Sequence, residues 1–453
     1  MTDSRSRLIS QNISIAGTLL WTFLIELTTA RLDYVHRLRK MAGSRSRPDR
    51  KRVKVALLID EYFGGWDTPY GGYGFLARRI VARYLPNDDL DLEVILHGTK
   101  CKGLIQTRVI DGINVYRMSQ SDRLTRLWLR IKAYDVFLSI ELTSIDAIVH
   151  APAKHKHLLW VQDPRPQSEW DEIATVKLFP EPSYYDQRIY DYVARRQNDI
   201  RFVTQGKFLI PMARELYQLS ETVPIAYLPN PIEIAPFSDD AGDQKENLVI
   251  FLGRLDSVKR GWLFCEIAKR LPNLKFAVLG AVHRSAERNL EVLSPYIDTD
   301  GNSLISNLHF AGHLDGEAKL SYLRRAKVLV NTSIHEALPV SFLEALASGT
   351  LLVSCRNPEG LTEQFGRFVG TVLGDGFESI DTFTEAINLI IEDDEWRRAT
   401  ALAAHRYLVK HHTIEQFQQQ MRTHNRHGSR SIDAGALVSL SRLDWWIARP
   451  EVS

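Results

Sequence analysis

Apolar residues recur along this chain in short runs, each followed by a stretch of helical periodicity. Short runs rich in Val, Ile, Leu and Phe are typical of buried strands in a parallel sheet, with the helical stretches as crossovers. The runs form two series. The first series is Val53–Asp60, Leu92–Gly98, Asp135–Ile140, His157–Val161, Arg201–Thr204 and Ile225–Leu228, and the second is Leu248–Leu252, Lys275–Gly280, Leu308–Ala311, Lys327–Asn331, Leu351–Ser354 and Val369–Leu373.

A segment rich in proline, glycine and acids separates the two series. It begins at Pro229-Asn230-Pro231 and continues through residues 236–243, and this composition is typical of an interdomain linker. The pattern predicts an α/β protein with two Rossmann-like domains, at residues 51–235 and 240–410, followed by C-terminal helices or a tail at 411–453. Because ligands of such sheets bind beyond the carboxyl ends of the strands, we expect the site in a cleft between the domains.

The N-terminal residues follow another pattern. Residues 8–25 carry no charge, and between Arg37 and Arg52 eight Lys or Arg residues stand against one acid. This predicts an amphipathic helix and a basic linker over residues 1–50. The apolar part is short for a transmembrane helix, so residues 8–52 would contact an anionic membrane surface peripherally. Packing of this helix on the protein or on a partner is an equally weighted alternative.

Composition and charge exclude several classes of protein. The 453 residues carry a formal charge of only +2, which is too little for the chain to neutralise many nucleic-acid phosphates. The three cysteines lie far apart, and neither a C-x-x-C pair nor an H-E-x-x-H motif is present. We therefore expect no nucleic-acid partner, no disulfide framework, no bound metal and no cofactor.

Two acids separated by seven residues give the strongest chemical signal. Glu336 and Glu344 follow the predicted strand Lys327–Asn331, and Pro339 between them suits the first turn of a helix. A helix start offers free backbone N–H groups to an anion, and carboxylates accept hydrogen bonds from sugar hydroxyls. The pattern indicates a site for a nucleotide sugar.

A second motif follows the predicted strand Leu248–Leu252. Gly253 permits close approach of the backbone to a ligand, and Arg254 and Lys259 bring two positive charges to the same strand end. Fixed cations at this position would stabilise a departing nucleotide diphosphate without a metal. A weaker signal is the pair Gly71-Gly72 after the first strand, because glycine-rich turns without a ligand are at least as common.

These motifs together resemble a known family. Gly253-Arg254-Leu255 with Lys259, Leu308–Gly312 and the stretch 335–349 are similar to the motifs of the retaining GT-B glycosyltransferases of family four. The resemblance is best from Tyr227 to Gly374. It implies a GT-B fold, with two Rossmann-like domains facing across a cleft. It also implies metal-independent transfer, with retention, of a sugar from a UDP- or GDP-sugar to a glycan or lipid-linked acceptor.

The resemblance also implies roles for individual residues of the second domain. Arg254 and Lys259 match the pair that holds the donor diphosphate, and Glu336 matches the acid that faces the donor sugar. These three are the expected catalytic residues. Glu344 matches the acid that binds the nucleotide ribose.

Further donor-binding positions follow from the same resemblance. Ala337 and Leu338 fall where backbone amides meet the sugar or the diphosphate. Gly253 lies in the phosphate-side loop, and Gly71 and Gly72 correspond to the first-domain glycine loop that closes on the phosphate.

Two departures from the family pattern affect the sugar side. The family commonly has His-Asp where this chain has Gln162-Asp163, and we expect both residues on the acceptor or sugar side of the cleft, with a structural turn as an equal alternative. Ala337 replaces the usual glycine, which leaves the identity of the sugar open.

The setting and the activity have alternatives. We expect a cytoplasmic enzyme of polysaccharide or cell-envelope synthesis that lies peripherally on the inner face of the membrane. A non-catalytic protein that binds sugar nucleotides, a nucleotide-sugar epimerase and a phosphorylase are the alternatives on the same fold.

Overall fold

The computed structural model of the chain describes residues 52–152, 155–183, 186–236, 245–281 and 286–422. The amphipathic helix and basic linker predicted for residues 1–50 lie outside these ranges, as does the part of the predicted tail after residue 422. Within the ranges, no helix combines the length and apolarity that crossing a membrane requires.

Eight strands form the first sheet, in the spatial order β3-β4-β2-β1-β5-β6-β7-β8. Neighbouring strands are parallel, except that β3 and β4 form an antiparallel hairpin. The strands are β1 (Val53–Ile59), β2 (Leu90–Cys101), β3 (Gln106–Ile110), β4 (Ile113–Ser119), β5 (Val136–Ile140), β6 (Lys156–Val161), β7 (Ile200–Thr204) and β8 (Ile225–Tyr227).

Six strands form the second sheet, in the spatial order β11-β10-β9-β12-β13-β14. All neighbouring pairs in this sheet are parallel. The strands are β9 (Glu246–Leu252), β10 (Lys275–Leu279), β11 (Leu308–Gly312), β12 (Ala326–Asn331), β13 (Leu351–Ser354) and β14 (Gly366–Phe368).

Helices connect the strands and cover the sheets. The first helix, α1, runs through three consecutive segments, Gly72–Phe75, a π-helical Leu76–Val81 and Ala82–Tyr84. Single 3-10 turns occur at Gly65–Asp67, Ile148–His150, Pro358–Gly360 and Phe377–Ser379. The other helices are α2 (Asp122–Lys132), α3 (Gln167–Ile173), α4 (Gln187–Arg196), α5 (Leu209–Leu216), α6 (Gly261–Arg270), α7 (Ala286–Leu293), α8 (Gly316–Arg325), α9 (Val340–Ala347), α10 (Leu361–Gln364), α11 (Ile380–Glu392), α12 (Asp394–His411) and α13 (Ile414–Arg422).

Successive residues of the central strands enter opposite apolar layers. In β1, Leu57 packs in the layer that contains α1, whereas Leu58 packs in the layer that contains α2 and α4. In β9, Val249 packs in one apolar layer of the second domain and Ile250 packs in another. Both faces of each sheet are therefore covered, which explains why the strands are continuously apolar rather than alternating. The predicted α/β class with two Rossmann-like domains is confirmed.

The hairpin of β3 and β4 was not predicted. Its turn is Asp111-Gly112, with φ of 50° and 81°, and an Asp-Gly pair with two positive φ angles is a strong hairpin signal. The last predicted strand, Val369–Leu373, is wrong, because β14 covers Gly366–Phe368 instead.

Two segments cross between the domains. The stretch that contains α3 leaves the first sheet, and Trp170, Ile173, Val176 and Phe179 pack in the core of the second domain. In return, α13 packs on the first domain, where Phe417 stacks on Trp160 with ring centroids 5.6 Å apart. The strands of each sheet lie within the predicted spans 51–235 and 240–410, but the side-chain packing does not divide at residue 240.

Candidate functional site

The predicted acids and cations of the second domain follow two adjacent strands. Strand β9 is paired with β12, so the loop that leads from β9 to α6 and the loop that leads from β12 to α9 lie at the same edge of the sheet. Lys259 in the first loop donates to Oε1 of Glu336 in the second, at 2.5 Å. The structure therefore brings together two of the three predicted catalytic side chains.

Glu336 is a buried carboxylate with several donors. Its Oε1 also accepts hydrogen bonds from Asn331 Nδ2 at 2.8 Å and from Ser333 Oγ at 2.6 Å. Burial alone would raise the pKa of Glu336, but the positive charge of Lys259 and the hydrogen bonds outweigh burial and lower the pKa. The carboxylate is therefore charged at neutral pH and fixed in position.

Arg254 lies apart from the Lys259–Glu336 pair. Its Nε is 3.3 Å from Asp256 Oδ2, and among the described residues it makes no ion pair with Glu336. Burial alone would lower the pKa of Arg254, but the negative charges of Asp256 and Glu61 outweigh it and raise the pKa. Because Glu61 follows β1 of the first domain, Arg254 lies within electrostatic reach of both domains.

Arg260 fixes the loop that carries Lys259, and the sequence analysis missed it. Its side chain is fully buried, with φ of 48°. The guanidinium donates to the carbonyl of Thr332 at 2.6 Å and to the carbonyl of Gly374 at 2.8 Å. A buried arginine thus ties the loop after β9 to the loop after β12, next to Glu336.

Glu344, the predicted ribose acid, lies in α9 and pairs with a lysine that the sequence analysis did not single out. Lys319 of α8 donates to Glu344 Oε1 at 2.7 Å. Burial raises the pKa of Glu344, and the charge of Lys319 offsets only part of this effect. Lys319 Nζ also lies 5.1 Å from the ring centre of Phe75 in α1, so this pair borders the first domain.

Three predicted backbone positions surround these side chains. Ala337 and Leu338 immediately precede α9, and within the described residues their N–H groups have no hydrogen-bond acceptor. Gly253 directly follows β9, and a Cβ added there would meet only the ring of Phe251, at 3.7 Å. These positions leave room for a ligand to approach the backbone.

In the first domain, the glycine loop lies against an acid. Gly71 caps the start of α1, and Glu61 Oε1 accepts a hydrogen bond from the N–H of Gly74 at 2.9 Å. A Cβ on Gly71 would lie 2.2 Å from Glu61 Oε1, whereas a Cβ on Gly72 would meet nothing. Gly71 is therefore required for close contact with Glu61, a residue that the sequence analysis missed.

Asp163 joins the two domains through a histidine. His335, which directly precedes Glu336, is bonded through Nε2 to Asp163 Oδ1 and through Nδ1 to Glu169 Oε2, each at 2.5 Å. Burial alone would lower the pKa of His335, but the two carboxylates outweigh it and raise the pKa. The charges of Arg165 and His335 in turn hold the pKa of Asp163 well below its usual range, although burial opposes this.

Gln162 lies in a buried amide network of the first domain. Its Oε1 accepts a hydrogen bond from Asn230 Nδ2 at 3.0 Å, and its backbone carbonyl accepts one from Gln205 Nε2 at 2.6 Å. These three residues follow the carboxyl ends of the neighbouring strands β6, β7 and β8. The role of Gln162 at the sugar side stays a prediction.

No group of three or more His, Cys, Asp or Glu side chains within the described ranges could hold a metal ion. The site offers an anionic ligand three fixed cations, Arg254, Lys259 and Lys319, and the N–H groups before α9. It also offers two buried carboxylates to a polyhydroxy ligand.

The second domain matches a known protein family in sequence. Residues 237–406 match the family described as Glycosyl transferases group 1. Among curated proteins, none resembles this chain closely enough in sequence to count as a relative.

Solved structures of glycosyltransferases share the fold. HepE from Anabaena, solved with UDP and glucose, has a TM-score of 0.60 at 14% identity, over 82% of this chain and 98% of its own. Sucrose-phosphate synthase from Thermosynechococcus elongatus has a TM-score of 0.63 at 15% identity, over 82% of this chain and 97% of its own. A glycosyltransferase from Rickettsia africae has a TM-score of 0.55 at 12% identity, over 82% and 96%.

These findings confirm the predicted GT-B fold, with two Rossmann-like domains facing across a cleft. The family match adds that residues 237–406 are similar in sequence to the group 1 glycosyl transferases.

Proposed function

We propose that this chain is a retaining, metal-independent glycosyltransferase that moves a sugar from a UDP- or GDP-sugar to a glycan or lipid-linked acceptor. The observation that carries the proposal is the buried Lys259–Glu336 pair at the adjacent ends of β9 and β12, with Arg254 at the same sheet edge. The donor binds to the second domain, residues 240–410, and the acceptor to the first, residues 51–235.

Each polar group of the site has a task in this reaction. Lys259 and Arg254 stabilise the negative charge that develops on the departing diphosphate, because fixed cations need no reorganisation as the bond breaks. Glu336, held charged by its donors, accepts hydrogen bonds from the donor sugar. The N–H groups of Ala337 and Leu338 meet the sugar or diphosphate.

Glu344, with Lys319 against it, binds the ribose of the nucleotide. Gly71 and Gly72 close on the diphosphate from the first domain, and closure excludes water that would hydrolyse the donor. Attack of the acceptor hydroxyl on the face that the diphosphate leaves gives retention, with a phosphate oxygen taking the proton. The published UDP complexes of HepE make UDP the first nucleotide to test.

The cellular setting is part of the proposal. A nucleotide-sugar donor suits the cytoplasm, and residues 8–52 would hold the enzyme on the inner face of the membrane, where an acceptor of polysaccharide or cell-envelope synthesis is available.

Donor binding and slow donor hydrolysis test the assignment. UDP-, GDP-, ADP- and dTDP-sugars are titrated calorimetrically into wild type, Lys259→Ala and Glu336→Gln, and hydrolysis is followed by release of the nucleotide in EDTA. We expect one nucleotide to bind, and hydrolysis to fall about a hundredfold or more in both variants. Lys410→Ala and Glu317→Gln, which change exposed side chains, serve as controls.

Other outcomes would overturn the proposal. Equal behaviour of all five proteins with every donor would exclude this site. Conversion of the donor into another sugar nucleotide without acceptor would show an epimerase, and binding without turnover with glycan and lipid acceptors would show a non-catalytic protein. Once an acceptor is found, the anomeric proton coupling of the product tests retention.

A further inference from the structure

Helix α2 of the first domain has an exposed face that carries both basic and apolar side chains. Six residues of this helix are exposed. The first is Asp122, and the other five follow at the spacing i, i+3, i+4, i+7 and i+8, which places these five on one side of the helix. The apolar members, Leu127 and Ile131, are 54% and 55% exposed. We call these five residues the docking face: Arg123, Arg126, Leu127, Arg130 and Ile131.

The opposite side of α2 is firmly packed. Thr125 and Leu129 are buried against the first sheet, and the ring of Trp128 meets that of Tyr116 edge-on, with centroids 4.8 Å apart. Lys132 at the end of the helix donates to Glu93 at 3.1 Å. The helix therefore cannot turn to bury its docking face.

The docking face carries positive charge without compensation. Within the described residues, its three arginines make no ion pair with a carboxylate. The one acid of the helix, Asp122, lies at its start, 3.2 Å from His150 Nε2. Val149, next to His150 in the chain, is 44% exposed. Cations and aliphatic side chains thus lie side by side on a helix whose one acid is paired.

We propose that the docking face binds an anionic lipid bilayer. Leu127 and Ile131 would enter the boundary between headgroups and acyl chains, while the three guanidinium groups contact lipid phosphates. The apolar part consists of isolated side chains, which is small for a stable protein interface. Arginine suits the headgroup region, because its aliphatic stem stays on apolar surface while its charged end reaches phosphate.

This inference is independent of the proposed reaction, since it concerns a surface of the first domain and not the donor site. It is also distinct from the membrane contact proposed for residues 8–52. The docking face would fix the orientation of the first domain relative to the bilayer.

Vesicle co-sedimentation of the full chain tests the proposal. Vesicles of phosphatidylcholine with about one third phosphatidylglycerol are compared with pure phosphatidylcholine vesicles in about 0.1 M salt. We expect Leu127→Ser/Ile131→Ser to bind the anionic vesicles at least tenfold more weakly. Arg126→Gln/Arg130→Gln should bind about 25-fold more weakly, at about fivefold for each arginine. The matched control, Leu389→Ser/Arg406→Gln, changes an exposed leucine and an exposed arginine of the second domain.

Three outcomes would overturn the proposal. Unchanged binding of both variants, with circular dichroism spectra like that of the parent, would assign lipid contact to other residues. Equal binding to both vesicle compositions would exclude recognition of lipid charge. A parent that is a dimer by light scattering, and that becomes a monomer in Leu127→Ser/Ile131→Ser without loss of lipid binding, would make this face a contact between two copies.

Discussion

At the residue scale, His335 connects the loop after β12 to Asp163 of the first domain and to Glu169. Its two ring nitrogens face Asp163 and Glu169, and all three groups are largely withdrawn from solvent. Removing one partner of a buried ion pair leaves an uncompensated charge, which costs about 3 kcal/mol or more. This residue also directly precedes Glu336, so its position affects the proposed donor site.

We therefore predict a pH-dependent effect of His335→Gln. Because the folded protein raises the pKa of His335, the stability due to its charge is complete below the unfolded pKa of about 6.5. It is lost as the pH rises through the folded pKa. The free energy of unfolding should fall by about 3 kcal/mol at pH 6, and by clearly less at about pH 9.5, above the ordinary range of histidine.

Urea unfolding at both pH values measures the difference, with His309→Gln as the control for loss of an exposed histidine. A loss of the same size at both pH values would contradict the charged state of His335. Asp163 and Glu169, whose pKa values are lowered, contribute to stability above their unfolded pKa of about 4, so the wild type should lose stability in acid.

Only some residues of the candidate site were predictable from the sequence. The roles of Glu336 and Lys259 were predictable because each follows an apolar strand in a familiar motif. Lys319, Arg260 and Glu61 were not, because each has no motif of its own. Their partners are distant in sequence, and only the fold brings them within hydrogen-bond distance.

At the element scale, the end of β9 must approach the end of β10 closely. A Cβ on Gly280 would lie 1.7 Å from the carbonyl oxygen of Gly253, whereas a Cβ on Gly253 would make only an ordinary contact. Both glycines directly follow strands at the same edge of the second sheet, but they are required for different reasons. Gly280 is needed by the fold, and Gly253 by the proposed ligand.

Alanine at these two positions should therefore give opposite results. Gly280→Ala should lower the free energy of unfolding by about 1–3 kcal/mol, because the backbone at the end of β9 must move. Gly253→Ala should change stability by less than about 0.5 kcal/mol but should weaken binding of the nucleotide sugar. Chemical denaturation and calorimetric titration of the two variants measure these effects. Equal loss of stability in both would contradict the assigned geometry.

Strands differed in how well their sequences predicted them. The central strands are buried on both faces, so their apolar runs were recognisable. Strand β3 (Gln106–Ile110) is an edge strand whose residues are almost all exposed, and it has no apolar run. Its presence depends on the Asp111-Gly112 turn and on pairing with β4, and neither leaves a hydrophobic pattern.

At the scale of the whole molecule, the two crossing segments couple the domains. The α3 stretch places Trp170 in the second core, and α13 places Phe417 against Trp160 in the first. Polar contacts join the domains beside these segments, for example between Arg356 and Glu172 at 2.7 Å. Neither core is complete without chain from the other half.

We predict that the described part of the chain unfolds in a single thermal transition and that Trp170→Ala and Phe417→Ala both lower its midpoint. Each should cost about 3–5 kcal/mol, the usual range for removal of a buried aromatic side chain. Differential scanning calorimetry checks this, with Phe377→Ala as a control at an exposed aromatic residue. Two separate transitions, each moved by only one substitution, would show that the domains unfold independently.

The exchange of chain between the halves also limits how such a protein can be recombined. A chimera joined near residue 240 would combine the second sheet with a foreign version of the α3 stretch, and the first sheet with a foreign α13. Stable hybrids with other proteins of the GT-B fold should therefore transfer residues 167–181 together with the second sheet, and residues 414–422 together with the first sheet. The useful unit of exchange is discontinuous in the gene, although each sheet is continuous.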